Sequence, residues 1–575
     1  MNMKPLDVIN FKRFFCLPLI FIFKIVGMKK VVIILGIILI VISCKKKELP
    51  VVFTAYDEIL EIAEQQNHEI ERMQLKLIQS KYLDMNEVFK PFEEDLAFFS
   101  EKDYNNLEPY IIEQDIPSIQ ESVQNGILSY EKIVLFYLYR IRKYESNNKL
   151  ALHAIISLNP NVVIEAREKD KNKAYDTSFS LRGLPILLKD NINTIGMPTT
   201  AGAFVLIDNR NTDDAFIVKK LKENGALILG KANLSEWAYF FCSGCPVGYS
   251  AVGGQTLNPY GRKVFETGGS SAGSGVSIAA NYAVAAVGTE TSGSILSPSS
   301  KNSLVGLKPT IGLLSRTGIV PISNTLDTPG PMTKSVIDNA ILLSAMIGED
   351  SEDITTKNND KNIKYLKNIT KSTLKGKRFG VIKQLLTDSI YLKTIAKIKN
   401  VGAEIIEFEP PKVSLEGFIT LLNIDMKYDL PQYLENYADK SISVASVQDI
   451  INLNLQDSLI RAPYGQQLFE GIVEDSTSTL SFQKIKQNLH EFGVSFFQKP
   501  MDSLNLDAVL SINNYHAGFA AVAKYPCLTI PMGYENSGEP ISLTFIAKPF
   551  QELKLFQLGY AFEQITKIRK QPKDY

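Results

Sequence analysis

Along most of this chain, short runs of consecutive apolar residues alternate with longer stretches in which apolar positions recur every three or four residues. The runs Ile186–Leu188, Ala226–Leu229, Ala283–Val287, Phe379–Ile382, Ala508–Ile512 and Leu528–Pro531 are bounded by turn residues and read as short buried strands. Between them, Asp214–Asn224 and Glu552–Thr566 carry helical periodicity, and Asn224-Gly225 supplies a helix stop. Ser129 is placed to cap a helix running to Arg142, with Ile133, Phe136, Leu138 and Ile141 broadly on one side. Ile541-Ser542-Leu543-Thr544-Phe545 alternates cleanly, which predicts a less buried strand. Strands alternating with helices predict an α/β protein with a mostly parallel or mixed sheet flanked by helices.

Other stretches break this rhythm. Residues 45–110 are charged, with Ile59, Ile62, Ile70, Met73 and Leu77 at roughly helical intervals, so they predict one or two amphipathic helices. They read as a helical spacer or extension ahead of the main domain, 111–575, with a packed hairpin as the alternative. Ser351 to Lys375 is polar and lysine-rich, hence a surface loop or linker. Residues 410–500 are helical in pattern, carry no recognisable chemistry, and are expected to form a variable segment covering the substrate cleft.

Charge adds an exclusion. Lysine plus arginine and aspartate plus glutamate stand at 62 each, so no basic excess exists to draw a phosphate backbone, and nucleic acid is not an expected partner. The N-terminus adds an address. Met28-Lys29-Lys30 precedes an unbroken apolar run from Val31 to Ile42, the anatomy of an export signal, with Met28 as the expected start. Val41-Ile42-Ser43-Cys44 looks like a bacterial lipobox, which predicts residues 1–44 as a lipoprotein signal, lipid on Cys44, and an exported protein anchored to a membrane by lipid. Cys242 and Cys245 form a lone Cys-x-x-Cys, open to either a small disulfide or two ordinary thiols, and weak as a zinc signature.

Candidate chemistry gathers at one lysine and two serines. A serine hydroxyl needs a base to act as a nucleophile. None of the four histidines, His68, His153, His490 and His516, sits in an arrangement suited to a serine triad, and no G-x-S-x-G surrounds Ser294. A lysine serves instead if burial keeps it neutral. Lys189 ends the apolar segment Leu184–Leu188 and fits that need; pairing with adjacent Asp190 at the surface is the other reading. Ser270 follows Gly268-Gly269 and precedes a run of small residues, so a loop of unusual backbone geometry can lead into a closely packed helix. A phosphate-binding loop is disfavoured because no Gly-Lys-[Ser/Thr] closes it. Ser294 follows Ser292-Gly293, a turn whose amides can converge on an oxyanion.

Taken in order, these segments resemble the amidase signature family. Gly183-Leu184-Pro185-Ile186-Leu187-Leu188-Lys189-Asp190, Gly268–Gly273 and Gly288–Ile295 match its three core motifs. Gly306–Thr310, Arg316–Pro321, Asp327–Met332 and Ala523–Pro531 extend the likeness over roughly 111–350 and 505–570. The resemblance implies an α/β/α sandwich with a large mixed, mostly parallel central sheet. It implies Ser294 as nucleophile, Ser270 as bridging serine after a cis peptide, Lys189 as base, and the amides of Thr291, Ser292, Gly293 and Ser294 as oxyanion hole. No metal or organic cofactor is implied. Glu290, Ser292 and Leu296 depart from the common pattern, and Glu290-Thr291-x-Gly293-Ser294-Ile295 is nearest to the bacterial peptide amidase branch, so a small-molecule or peptide amide is the expected substrate. A general amidase or esterase, a transamidosome-type glutaminase subunit and a non-catalytic binding lipoprotein are the rival readings. The export signal argues against the second, and retention of Lys189, Ser270 and Ser294 against the third. A penicillin-binding protein is set aside, since neither Ser-Asp-Asn nor Lys-Thr-Gly occurs.

Overall fold

A computed structural model describes residues 51–172, 178–357 and 364–575. The expected signal segment and Cys44 lie outside the described residues. The strands in chain order are β1 Ile155–Leu158, β2 Pro185–Lys189, β3 Leu227–Ala232, β4 Tyr249–Ser250, β5 Gly254–Gln255, β6 Ala285–Glu290, β7 Val305–Lys308, β8 Thr328–Thr333, β9 Arg378–Ile382, β10 Glu404–Phe408, β11 Ala508–Ile512, β12 Cys527–Tyr534 and β13 Pro540–Ile546. Every apolar run read as a strand overlaps one of them, with Ala226 and Ala283-Val284 falling just ahead of β3 and β6.

Eleven strands form one sheet in the order β1-β3-β2-β6-β8-β7-β12-β13-β11-β9-β10, while β4 and β5 make a separate ribbon. Parallel pairing runs through β3-β2-β6 and through β11-β9-β10. The other neighbours are antiparallel, so the sheet is mixed. Helices flank it, giving the α/β layering. Strands β2, β3, β6, β7 and β8 are buried along their whole length, which is why they read as continuous apolar or small-residue runs. The helix Ala272–Ala279 packs against β2, β3 and β6. Gly273 permits that approach, since a Cβ there would lie 2.4 Å from the Asn233 backbone nitrogen.

Three expectations need correction. Strand β13 is buried throughout, because it runs between β12 and β11 in the middle of the sheet. Its alternating hydroxyls face the interior: Thr544 Oγ1 bonds Thr529 Oγ1 at 2.9 Å, while the Ser542 amide donates to Asn513 Oδ1 at 2.8 Å and the Ser542 hydroxyl finds no partner among the described residues. Residues 51–110 are no spacer. They form short helices such as Ile59–Gln65, Met85–Phe89 and Glu101–Leu107, and Leu75, Ile78, Phe89, Phe92 and Tyr104 enter the main core. The Gln255 amide donates to Ile78 O at 2.8 Å, and Gly254 has no room for a Cβ against that carbonyl. The segment is stitched to the β4–β5 ribbon. In the polar stretch after Ser351, Asp353 takes Arg316 at 2.7 Å and Tyr365, Ile369 and Leu374 are buried, so its described parts are anchored.

The helices Phe418–Asn436, Val447–Leu455, Gln467–Glu474 and Thr479–Ser503 build a second core with Trp237, Phe240 and Phe241 from the loop after β3. Cys242 and Cys245, in the same loop, are joined as a disulfide, and Cys527 is a buried free thiol. Among the described residues, no helix is long and apolar enough to cross a membrane.

Candidate active site

Lys189 is the last residue of β2 and fully buried. Its Nζ lies 2.8 Å from Ser270 Oγ, 2.8 Å from Thr289 Oγ1 and 3.2 Å from Thr289 O. A neutral amine has two protons to give and one lone pair to offer, which matches two acceptors and one hydroxyl able to donate. Burial lowers its pKa from 10.5 to about 7, against the opposing pull of Asp327 and then Glu290. Adjacent Asp190 points to the other face of the strand, as alternation requires. It is fully buried there and pairs with Lys231 at 2.9 Å, so the surface Lys189–Asp190 pair does not occur.

Ser270 is fully buried, and the Gly269–Ser270 peptide is cis. Its carbonyl accepts from the Ser235 amide at 3.0 Å, and Ser235 Oγ in turn accepts from the Gly248 amide at 2.8 Å. Gly269 is required by contact: a Cβ there would sit 2.5 Å from Val247 Cγ1 and 2.7 Å from Ser235 Oγ.

Ser294 lies on the turn between β6 and the helix Leu296–Lys301, at the rim of the buried interior. The turn is held from below. The fully buried Glu290 carboxylate accepts the amides of Ile295 at 2.7 Å and Leu296 at 2.9 Å, and the Gly293 amide also faces it. Thr291 Oγ1 donates to Asp327 Oδ1 at 2.5 Å, while Asp327 Oδ2 accepts the amides of Ile322 and Ser323. Gly293 has φ +90°, a left-handed geometry that favours glycine. Among the described residues, the amides of Thr291, Ser292 and Ser294 meet no protein acceptor, and Ser294 Oγ makes no hydrogen bond. The two serine loops are joined by Ser271: its amide donates to Ser294 O at 3.1 Å and its hydroxyl to Thr289 O at 3.0 Å.

Sequence reading singled out the lysine and both serines but not the residues that fix them. Thr289 and Ser271 lie inside the quoted motifs, yet nothing local marks them as partners. Asn191 Nδ2 donates to Thr289 Oγ1 at 3.0 Å, which orients that hydroxyl toward Lys189. None of the four histidines bonds either serine. His68 contacts Val264 O, His153 bonds Gln255 O, His490 bonds Val522 O and His516 bonds Ser511 Oγ.

This geometry can be set beside known proteins. A model of the family described as amidase matches residues 132–556. The chain belongs to the amidase family. A probable amidase of Arabidopsis thaliana is 36% identical over 483 residues, covering 80% of this chain and 92% of the plant protein. The crystal structure of an amidase family protein from Bacillus anthracis str. Ames matches with a TM-score of 0.82 at 37% identity, over 86% of this chain and 99% of that one. Native peptide amidase from Stenotrophomonas maltophilia matches with a TM-score of 0.76 at 35% identity, over 81% of this chain and all of its own. This amidase is therefore a hydrolase acting on amides, and its mixed sheet flanked by helices is the family's fold.

Proposed function

We propose that the amidase cleaves carboxylic amides through an acyl-enzyme on Ser294, with Ser270 as proton relay and Lys189 as neutral base. The observation that carries this reading is the fully buried Lys189 amine, its pKa lowered by burial to about 7, bonded to Ser270 Oγ at 2.8 Å. As Ser294 Oγ attacks the amide carbon, its proton passes to Ser270, whose own proton passes to Lys189. The carbonyl oxygen gains the electron pair and is met by the free amides of Thr291, Ser292 and Ser294; Gly293, engaged with Glu290, supports the turn more than the oxyanion. Collapse breaks the C–N bond, and the proton held by Lys189 returns to the departing nitrogen. Water then attacks the ester by the same relay and releases the acid.

The likeness to a peptide amidase supports C-terminal peptide amides as substrates. A fluorophosphonate probe tests the mechanism: it should label Ser294 alone, and Ser294→Ala should abolish both labelling and ammonia release from peptide amides while the circular dichroism spectrum is kept. Ammonia release at the parent rate by purified Ser294→Ala would overturn the reading. For location, the apolar run Val31–Ile42 followed by Ser43-Cys44 supports export and lipid anchoring to a bacterial membrane. Labelled palmitate should be incorporated by the parent, and its retention by Cys44→Ser would remove that idea.

A further inference from the structure

Beside the nucleophile turn lies an open cleft of about 310 Å³ between the helix Thr479–Ser503 and the end of the helix Ala517–Ala523. On two sides its walls continue into segments that touch the nucleophile turn. Thr325 and Leu326 line it and lead directly into Asp327, the residue that holds Thr291. Opposite, the helix carrying Val522 into the cleft begins at Ala517, within contact of Gly293.

The cleft is cationic: the Asp425 carboxylate acts on Lys524, but less than Lys486 and Arg316 do, and it is itself bonded by Ser323 Oγ. Lys486 and Lys524 both line it, close enough that Lys486 adds to the burial that lowers the Lys524 pKa. Among the described residues neither amine forms an ion pair or hydrogen bond; Lys486 meets only the Phe482 ring on its own helix. Lys524 is also an unexpected residue for its place. It closes the helix Ala517–Ala523 in the left-handed region, at φ +62°, where glycine or asparagine is the usual occupant. Leu326, Leu421, Leu489 and Val522 supply apolar lining, and Gln483, Gln487 and His490 line it as well. A cleft of mixed lining that holds two ammonium groups without an ion pair fits an organic chain bearing a carboxylate.

We propose that this cleft receives an anionic side group of the substrate, so that the preferred amides carry a carboxylate away from the bond that is cut. The inference rests on the amide-hydrolase reading above and specifies its substrate class. It is tested with short N-acetylated peptide amides identical except for one residue, Glu, Gln or Lys, placed in turn at each position before the terminal amide. At one position, Glu should exceed Gln in kcat/KM by at least about tenfold and Lys should fall below Gln, with the Glu advantage shrinking as salt is raised.

In the double variant Lys486→Ala/Lys524→Gly the Glu-to-Gln ratio should fall close to one. Glycine suits the backbone at 524, so the variant is expected to fold. Lys486→Arg/Lys524→Arg should restore the ratio. Equal turnover of Glu and Gln peptides at every position, or a Glu advantage that survives in the double variant, would overturn the proposal while leaving the hydrolytic reading intact. Calorimetric binding of the same peptides to Ser294→Ala gives a readout independent of chemistry. Tighter binding of the Glu peptide, lost on removing the two lysines, is the expected result even if the mechanism at Ser294 were wrong.

Discussion

Two lysines sit fully buried at the ends of neighbouring parallel strands, and their surroundings differ in kind. Lys231, on β3, faces the Asp190 carboxylate at 2.9 Å and Thr199 Oγ1 at 2.9 Å. Lys189, on β2, faces two hydroxyls and a carbonyl. Burial works against the charge on both lysines and on Asp190; at Lys231 the carboxylate opposes that push, and Asp190 Oδ2 also accepts the Thr200 amide at 3.1 Å. Lys189 has no such partner in its shell, so its amine gives up the proton near neutral pH. Under the proposed mechanism, the same residue type, a strand apart, answers a buried carboxylate in one place and serves as the base in the other. Asp190 is what separates them, since strand alternation turns its carboxylate away from Lys189 and toward Lys231.

The comparison predicts opposite consequences for one substitution. Lys189→Met should lower kcat/KM by about 10³-fold or more, a loss of roughly 4 kcal/mol of transition-state stabilisation, with the fold intact. Its stability at pH 7 should equal or exceed the parent's, because a desolvated amine has been removed. Lys231→Met leaves Asp190 buried and unanswered, and should cost about 3–5 kcal/mol in urea denaturation. Asp190→Asn/Lys231→Met should recover part of that loss. If Lys189→Met destabilised as strongly as Lys231→Met, the distinction between the two sites would fail.

Titration sharpens the contrast. With Lys189 active as the neutral amine and a pKa of about 7, kcat/KM should fall tenfold for each pH unit below that value and level off above it. The sign for stability follows from the same shift. The folded value lies below the ordinary 10.5, so between about 7 and 10.5 the unfolded chain binds the extra proton, and the contribution of Lys189 to stability improves as pH rises through that window. A Lys189→Met protein should lack that rise when denaturation is followed against pH.

How much of this could be read from the chain depends on the range of the forces involved. Lys189, Ser270 and Ser294 were legible because their requirements are local: an apolar strand before the lysine, glycines before each serine, small residues behind. The strands were legible for the same reason, and the helix Glu552–Thr566 begins and ends where its periodicity does. Thr289 escaped notice because it meets Lys189 from 100 residues away, and Asp327 grips Thr291 across 36. A polar residue in a motif does not announce its partner. Residues 51–110 misled in a different way. Exposed Ile59 and Ile70 fit the helical spacing, while the side chains that dock the segment, Phe89, Phe92 and Tyr104, lie on short helices without a long period. In 410–500 the helical pattern was plain, but its core is completed by Trp237 and Phe241, which no spacing within the segment could reveal.

The finest test of the comparison uses the threonine beside each lysine. Thr289→Val keeps the branched shape but removes the oxygen that accepts from Lys189 and from Asn191 Nδ2. An acceptor stabilises the ammonium more than the neutral amine, so its loss should move the acidic limb of the pH profile to lower pH. A modest fall in kcat, about tenfold or less, should accompany it as the amine loses one of its positioning contacts. Thr199→Val removes the corresponding oxygen from Lys231. There the charge is already matched by Asp190, so the expected result is a stability loss of about 1 kcal/mol with the pH profile unmoved. A shifted limb in Thr199→Val, or an unshifted one in Thr289→Val, would mean that the proton governing activity resides elsewhere than on Lys189.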